Sequence, residues 1–259
     1  MSKYQRLNAM LELLATEGHI SVEEAAAALT VSPATVRRDL DTLAAQQLLT
    51  RTHGGAVSNS TAYDLPLRYK SVRRVEQKLR IARVAAELVP FGSVVGLNGG
   101  TTATEVARAL ATRADLHADA DAVTVVTNAL NIANELTVRN HIKIVVIGGV
   151  PRPQSYELIG PLGLPALSQL SLDIAFLGVD GFDVARGASS HNEAEAEVNA
   201  RIAGQARRVV VVADSSKLGR TAFAQIRPFD TVDLLITDSD ADPERVKQIA
   251  EAGVEVRTA

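Results

Sequence analysis

The 259-residue chain contains no cysteine and no tryptophan. Without thiols it can form neither disulfides nor thiolate metal sites, and a reducing compartment is its expected setting. Aromatic residues are only 3% of the chain, so a core drawn from its 46% hydrophobic residues must be mostly Ala, Val, Leu and Ile. That composition fits an α/β protein. Long apolar runs are also missing: none approaches the ~20 residues of a membrane span. Met1-Ser-Lys-Tyr-Gln-Arg6 is too polar for a signal peptide, so a cytoplasmic protein with no membrane partner is expected. Five histidines, at 19, 53, 117, 141 and 191, show no paired ligand spacing, and no metal site is expected.

Net charge is −3, which argues weakly against a polyanionic partner until its distribution is considered. Residues 1–83 carry 12 basic and 8 acidic side chains, and the remainder carries 15 and 22. A positive end and a negative end orient a molecule in the field of a phosphate backbone. The positive charge is itself uneven: residues 1–57 hold five basic and six acidic residues, whereas 68–83 hold seven basic residues against Glu76. Those seven side chains either contact phosphates or keep an interdomain helix soluble.

Apolar residues at Leu7, Leu11 and Leu14, widened by Met10 and Leu13, predict a helix from Lys3 to about Glu17, stopped by Gly18. Ser21-Val-Glu-Glu24 has the serine and glutamate of a capping box and starts a second helix that ends near Leu29. Only Thr30 and Val31 precede Ser32, an N-cap followed by Pro33 at the first helical position. So tight a joint makes the helices cross steeply, as in a helix-turn-helix. In the third helix Val36, Leu40 and Leu43 form one buried stripe, leaving Thr35, Arg37, Arg38 and Thr42 for a DNA groove or its phosphates. Leu48 to Val57, with a Gly54-Gly55 turn, can pair with His19-Ile20 as a small sheet whose loop is a wing bearing Arg51 and His53.

Ser58-Asn-Ser-Thr-Ala62 reads as a linker, giving a DNA-binding domain at 1–57, a connection at 58–74 and a larger domain at 75–259. In the larger domain β-branched runs at 93–97, 123–126, 142–147, 174–177, 209–213, 232–237 and 254–256 alternate with helical stretches at 102–111, 129–136, 161–170, 194–206 and 243–252. A mainly parallel sheet covered on both faces follows, with ligands at the carboxyl ends of its strands. Gly96-Leu-Asn-Gly-Gly-Thr-Thr102 ends the first strand and opens a helix, a geometry in which Asn98, Gly99, Gly100, Thr101 and Thr102 can cradle a phosphate. The loop lacks a Walker lysine and dinucleotide spacing, so neither ATP nor NAD is expected, nor any other cofactor. Asn128, Asp180 and Lys217 fall at other strand ends, where Lys217 can neutralise a phosphate and Asn128 and Asp180 can hold sugar hydroxyls, while Glu193 begins a helix, where a carboxylate also suits the dipole.

Val31-Ser-Pro-Ala-Thr-Val-Arg-Arg-Asp-Leu40 with Leu49-Thr-Arg-Thr-His-Gly-Gly-Ala-Val57 resembles the DNA-binding domain of the DeoR family of bacterial repressors. Gly99-Gly-Thr-Thr102, Val126-Thr-Asn-Ala-Leu-Asn131, Gly148-Gly149, Gly160-Pro161, Gly178-Val-Asp-Gly181 and Ala213-Asp-Ser-Ser-Lys217 resemble its effector domain, which is similar to sugar-phosphate isomerases. The resemblance implies an operator-binding repressor of sugar-utilisation genes, induced by a phosphorylated sugar, with Thr101 and Thr102 at the phosphate and Asp180, Glu193 and Lys217 around the sugar. A homo-oligomer, dimer or tetramer, is expected. Many relatives have Asp-Ser-Gly-Thr-Thr where this chain has Asn98-Gly-Gly-Thr-Thr102. The competing reading is an isomerase-type enzyme with an appended DNA-binding domain, using Asp180 or Glu193 as general base; the expectation here is a regulator without catalysis.

Overall fold

The computed structural model describes residues 1–46, 48–58, 66–71, 73–117 and 120–259. The chain divides into two compact units, Met1–Leu65 and Pro66–Ala259. The run 58–62 read as a linker lies, apart from Ser58, outside the described residues.

The first unit consists of α1 (Lys3–Glu17), β1 (His19–Ser21), α2 (Val22–Leu29), α3 (Pro33–Ala45), β2 (Leu49–Arg51) and β3 (Gly55–Ser58). Each helix starts where a side chain takes over an orphan backbone donor. Ser2 and Gln5 form a capping box on α1, Ser21 and Glu24 another on α2, and Ser32 accepts from the Thr35 N–H at the start of α3. Gly18 ends α1 in the left-handed region, and Thr30 takes the same conformation between α2 and α3. Leu7, Met10, Leu11 and Leu14 from α1 and Val36, Leu40 and Leu43 from α3 are all buried. Each such side chain contributes roughly 1.5–3 kcal/mol, enough together to hold helices too short to persist alone. The strands form an antiparallel sheet in the order β1-β3-β2, with His19 opposite Val57 and Leu49 opposite Ser58.

The second unit opens with α4 (Leu67–Lys70) and α5 (Val75–Glu87), followed by β4 (Val94–Leu97), α6 (Thr101–Ala111), β5 (Val123–Thr127), α7 (Leu130–Leu136) and β6 (Ile142–Val146). A hairpin, β7 (Val150–Pro151) and β8 (Leu158–Ile159), leads to α8 (Leu164–Leu167), β9 (Leu172–Gly178), β10 (Gly181–Asp183), β11 (Gly187–Ser190) and α9 (Glu193–Gly204). The chain closes with β12 (Ala206–Val212), β13 (Ala224–Arg227), β14 (Leu234–Thr237), α10 (Pro243–Glu251) and β15 (Glu255–Thr258). Residues 66–71, inside the connection expected at 58–74, therefore contain a helix, and its Leu67 and Tyr69 are buried.

Seven strands make one sheet in the order β15-β14-β12-β9-β4-β5-β6, and every neighbouring pair is parallel. Runs such as Val209–Val212 are buried on both faces, as a sheet covered by helices on each side requires. From β4 the chain moves outward through β5 to β6, then returns to β9 on the other flank of β4. The crevice between β4 and β9 is thus the topological switch point, where α/β sheets bind ligands. The segment expected as one helix over 161–170 is instead a 3-10 turn at Pro161–Gly163 followed by the four-residue α8. Pro165 has no N–H to give and its ring would collide with a preceding helical carbonyl, so the helix can only begin around it. Strands β10, β11 and β13 form a small antiparallel sheet that the alternation of the larger strands does not announce. Among the described residues no helix is long and apolar enough to cross a membrane.

Candidate functional site

In the first unit Arg37 and Arg38 are exposed on α3 and have no partner among the described residues. The other polar residues predicted for DNA contact are already engaged to differing degrees. Ser32 Oγ caps the helix and lies 2.9 Å from Thr35 Oγ1. The Thr42 hydroxyl donates to the Arg38 carbonyl at 2.9 Å. Arg51 sends its Nε–H to Asp41 at 2.9 Å and a second N–H to the Gly55 carbonyl, so it braces the wing against α3. His53 is exposed in the wing turn. Asp39, which was not singled out from the sequence, is buried on the stripe side of α3 and pairs with Arg6 of α1 at 2.8 Å. Its spacing of three residues from Val36 is the signal that places it on the inner face.

In the second unit the loops after β4, β5, β9 and β12 all open at the carboxyl edge of the sheet. Asn98 bridges the switch-point crevice: its Nδ2 donates to the Gly178 carbonyl at 2.9 Å and its Oδ1 accepts the Gly178 N–H at 2.8 Å. Among the described residues no side chain caps α6, which begins at Thr101 after Gly100 at φ 100°. The backbone N–H groups of its first turn, beside the Thr101 and Thr102 hydroxyls, therefore form a ready anion site. Asn128 is fully buried, donating to Glu157 at 3.1 Å and to the Leu158 carbonyl at 3.3 Å, while its Oδ1 has no partner among the described residues.

Across the crevice Asp180 collects four partners. Lys70 Nζ lies 3.2 Å away and Lys217 Nζ 4.0 Å, while Ser190 Oγ at 3.4 Å and the His191 N–H at 3.2 Å donate to the other oxygen. Burial raises the Asp180 carboxyl, but Lys70, Lys217 and His191 outweigh it and hold the group at about 2. Burial lowers Lys217, and Asp180 opposes that shift. Lys78 on α5 is buried and donates to the carbonyls of Lys70 at 2.9 Å and Arg73 at 2.6 Å; burial brings it down to about 8. Arg74 reaches Ser215 at 3.0 Å and Asp214 at 3.6 Å. Part of the basic run at 68–83 is thus spent inside this unit, tying α4 and α5 to the strand ends.

Glu193 is exposed in the first turn of α9, whereas Glu195, two residues on, is buried. Glu195 accepts from Arg152 at 3.0 Å and from Ser190 at 3.2 Å. Lys70, Arg152, Glu157 and Glu195 are site residues that sequence reasoning missed; each sits on a loop or helix brought in from far along the chain. A cavity of about 180 Å³ opens beside the loop, lined by Arg68, Ser71, Thr101, Thr104, Asn131 and Tyr156 among others. The arrangement as a whole offers an anion subsite at α6 and a charged, hydroxyl-binding cluster around Asp180. Among the described residues there is no group of three or more His, Asp or Glu that could hold a metal ion.

Residues 6–62 match the DeoR-like helix-turn-helix domain and residues 73–239 the DeoR C terminal sensor domain. The chain is 36% identical over 249 residues to the glycerol-3-phosphate regulon repressor of Escherichia coli K12, covering 96% of each. It is 33% identical to a putative aga operon transcriptional repressor of Escherichia coli O157:H7, covering 97% of this chain and 92% of that one. The HTH-type transcriptional repressor GlcR of Bacillus subtilis is 34% identical, with 92% and 89% covered. Among solved structures, ribose 5-phosphate isomerase A from Methanocaldococcus jannaschii aligns with a TM-score of 0.40 and 23% identity over 56% and 54% of the two chains.

Proposed function

Because the chain belongs to the DeoR family of DNA-binding transcriptional regulators, we propose that it is a cytoplasmic repressor of carbohydrate-utilisation genes whose hold on its operator is released by a phosphorylated sugar. The observation that carries the ligand half of this reading is the uncapped N-terminus of α6 facing a crevice that also holds Lys217, Lys70 and Asp180. The phosphate goes to the loop Asn98 to Thr102, and the sugar hydroxyls to Asp180, Asn128 and the Ser190–Glu195 pair. Arg37 and Arg38 read the operator, with Ser32, Thr35 and Thr42 at the helix start and flank and Arg51 and His53 on the wing. Paired half-sites call for a homo-oligomer, dimer or tetramer.

Catalysis is not part of this reading. A carboxylate held at about 2 by two lysines is a poor base for a proton next to a carbonyl. Ligand acts by binding the released state more tightly than the DNA-bound one. The test is operator retardation in the presence of ribose, fructose and glucosamine phosphates. One of them is expected to release wild-type protein without being turned over, and Lys217→Ala is expected to bind operator and stay bound. Normal release of that variant removes Lys217 from the pocket, and sustained turnover by wild type replaces the sensor with an enzyme.

A further inference from the structure

Glu157 precedes β8 and is only 3% exposed. A Cβ added at Gly99 would lie 2.4 Å from its Oε1 and 2.5 Å from its Cγ, so the glutamate side chain fills the space into which any side chain at position 99 would extend. Asn128 Nδ2 donates to the carboxyl at 3.1 Å, and Asn199 on α9 adds a second amide contact. The charged groups facing it are both acids: Glu195 on α9 and Asp180 after β9. Their cations are committed to them, Arg152 to Glu195 and Lys70 and Lys217 to Asp180. An ionised Glu157 would therefore be a buried charge with no ion-pair partner among the described residues, set directly against the loop that must receive an anion.

We propose that Glu157 is the residue by which this chain sets the conditions for effector binding: it stands against the Gly99–Thr101 loop as a neutral acid, and a phosphate monoester binds there only while that proton is kept. The proposal rests on the strand-end crevice being the sugar-phosphate site. Burial first and Glu195 second push the Glu157 carboxyl up to about 8, so the proton is present at neutral pH and lost just above it. Ligand and proton are then linked, and affinity for a phosphate monoester drops about tenfold for each pH unit above that point. Lys78 and Lys217 shed charge with rising pH as well, and the variant below separates them from Glu157.

Two measurements on the full chain decide it. Isothermal titration with glucosamine 6-phosphate, ribose 5-phosphate and inorganic phosphate at pH 7 and pH 9 is expected to show about tenfold weaker binding at pH 9 for wild type. Glu157→Gln, neutral at both pH values and nearly the same shape, is expected to lose clearly less affinity than wild type, the remainder belonging to the lysines. Infrared titration of the ligand-free protein is expected to show the carbonyl band of a protonated buried carboxyl at pH 7, fading toward pH 9 and missing from the variant. If Glu157→Gln loses affinity as steeply as wild type, the loss belongs to a lysine and the proposal falls. It falls equally if wild type lacks the band, and in both cases the effector reading stands. If none of the three ligands binds either protein, the effector reading falls and takes the proposal with it.

Discussion

Asn98 donates to and accepts from one backbone partner, the peptide unit of Gly178. A carboxylate can only accept, so an ionised aspartate there would leave the half-buried Gly178 carbonyl without its donor, at a cost of up to about 1 kcal/mol. This residue was legible in the sequence as an unusual loop member, but its role was not, because Gly178 is eighty positions away. That Arg37 and Arg38 are exposed was legible, since a short helix with a single apolar stripe at Val36, Leu40 and Leu43 leaves them off its buried face. Arg38→Ala is expected to keep the fold and weaken operator binding by about 1–3 kcal/mol, read by retardation of operator DNA. Glu157 gives a second expectation at this scale, with a definite sign. Its folded-state value, about 8, lies above the usual 4.5, so the stability it contributes is complete below pH 4.5 and is lost as pH rises through 8. Urea unfolding between pH 5 and pH 8 should therefore show a steeper decline for wild type than for Glu157→Gln. Asp180 works in the opposite sense: held at about 2, its contribution is present above the ordinary carboxylate range and fades as pH falls through 2.

Among the elements, those specified by neighbours in the chain were legible and those specified by distant partners were not. The helices α1, α2 and α3 begin at the serines that cap them and end where the apolar spacing stops. The strands β10, β11 and β13 are three or four residues each and carry two glycines; β10 and β11 form a short hairpin, but β11 pairs with β13 across a gap of more than thirty positions, so no local pattern marks the sheet. The wing illustrates the same distinction between adjacent residues. A Cβ on Gly55 would lie 2.0 Å from the Ile20 carbonyl, inside the β1–β3 pairing, whereas one on Gly54 would meet nothing within 4 Å. Gly55→Ala is thus expected to distort the wing and lower operator affinity at least tenfold, and Gly54→Ala to leave it within about twofold. Retardation assays on the two variants, side by side, check this.

At the scale of the whole molecule the chain is two units with separate cores, and the charge difference between its ends is only partly a DNA-binding device. Lys70, Arg74 and Lys78, counted from the sequence toward a positive field, are consumed in holding α4 and α5 to the carboxyl edge of the sheet. Composition reports such charges without reporting where they end up. A sugar phosphate that binds the second unit should raise the melting of that unit alone. At a concentration a hundred times its dissociation constant the gain is about 2.7 kcal/mol, and scanning calorimetry should show one transition moving while the other stays.

The crevice also has a consequence for how the molecule can change. Its floor is a parallel sheet, but the side chains around the rim come from several separate connections, Asn98 and Thr101 after β4, Glu157 after β6, Asp180 and Glu195 after β9 and Lys217 after β12, so the rim can change one connection at a time without disturbing the scaffold. Position 99 and Glu157 are the exception: a side chain at 99 would extend into the space the Glu157 side chain fills, so a residue larger than glycine there requires that side chain to move. Anyone reshaping the crevice of this scaffold should therefore exchange those two positions together.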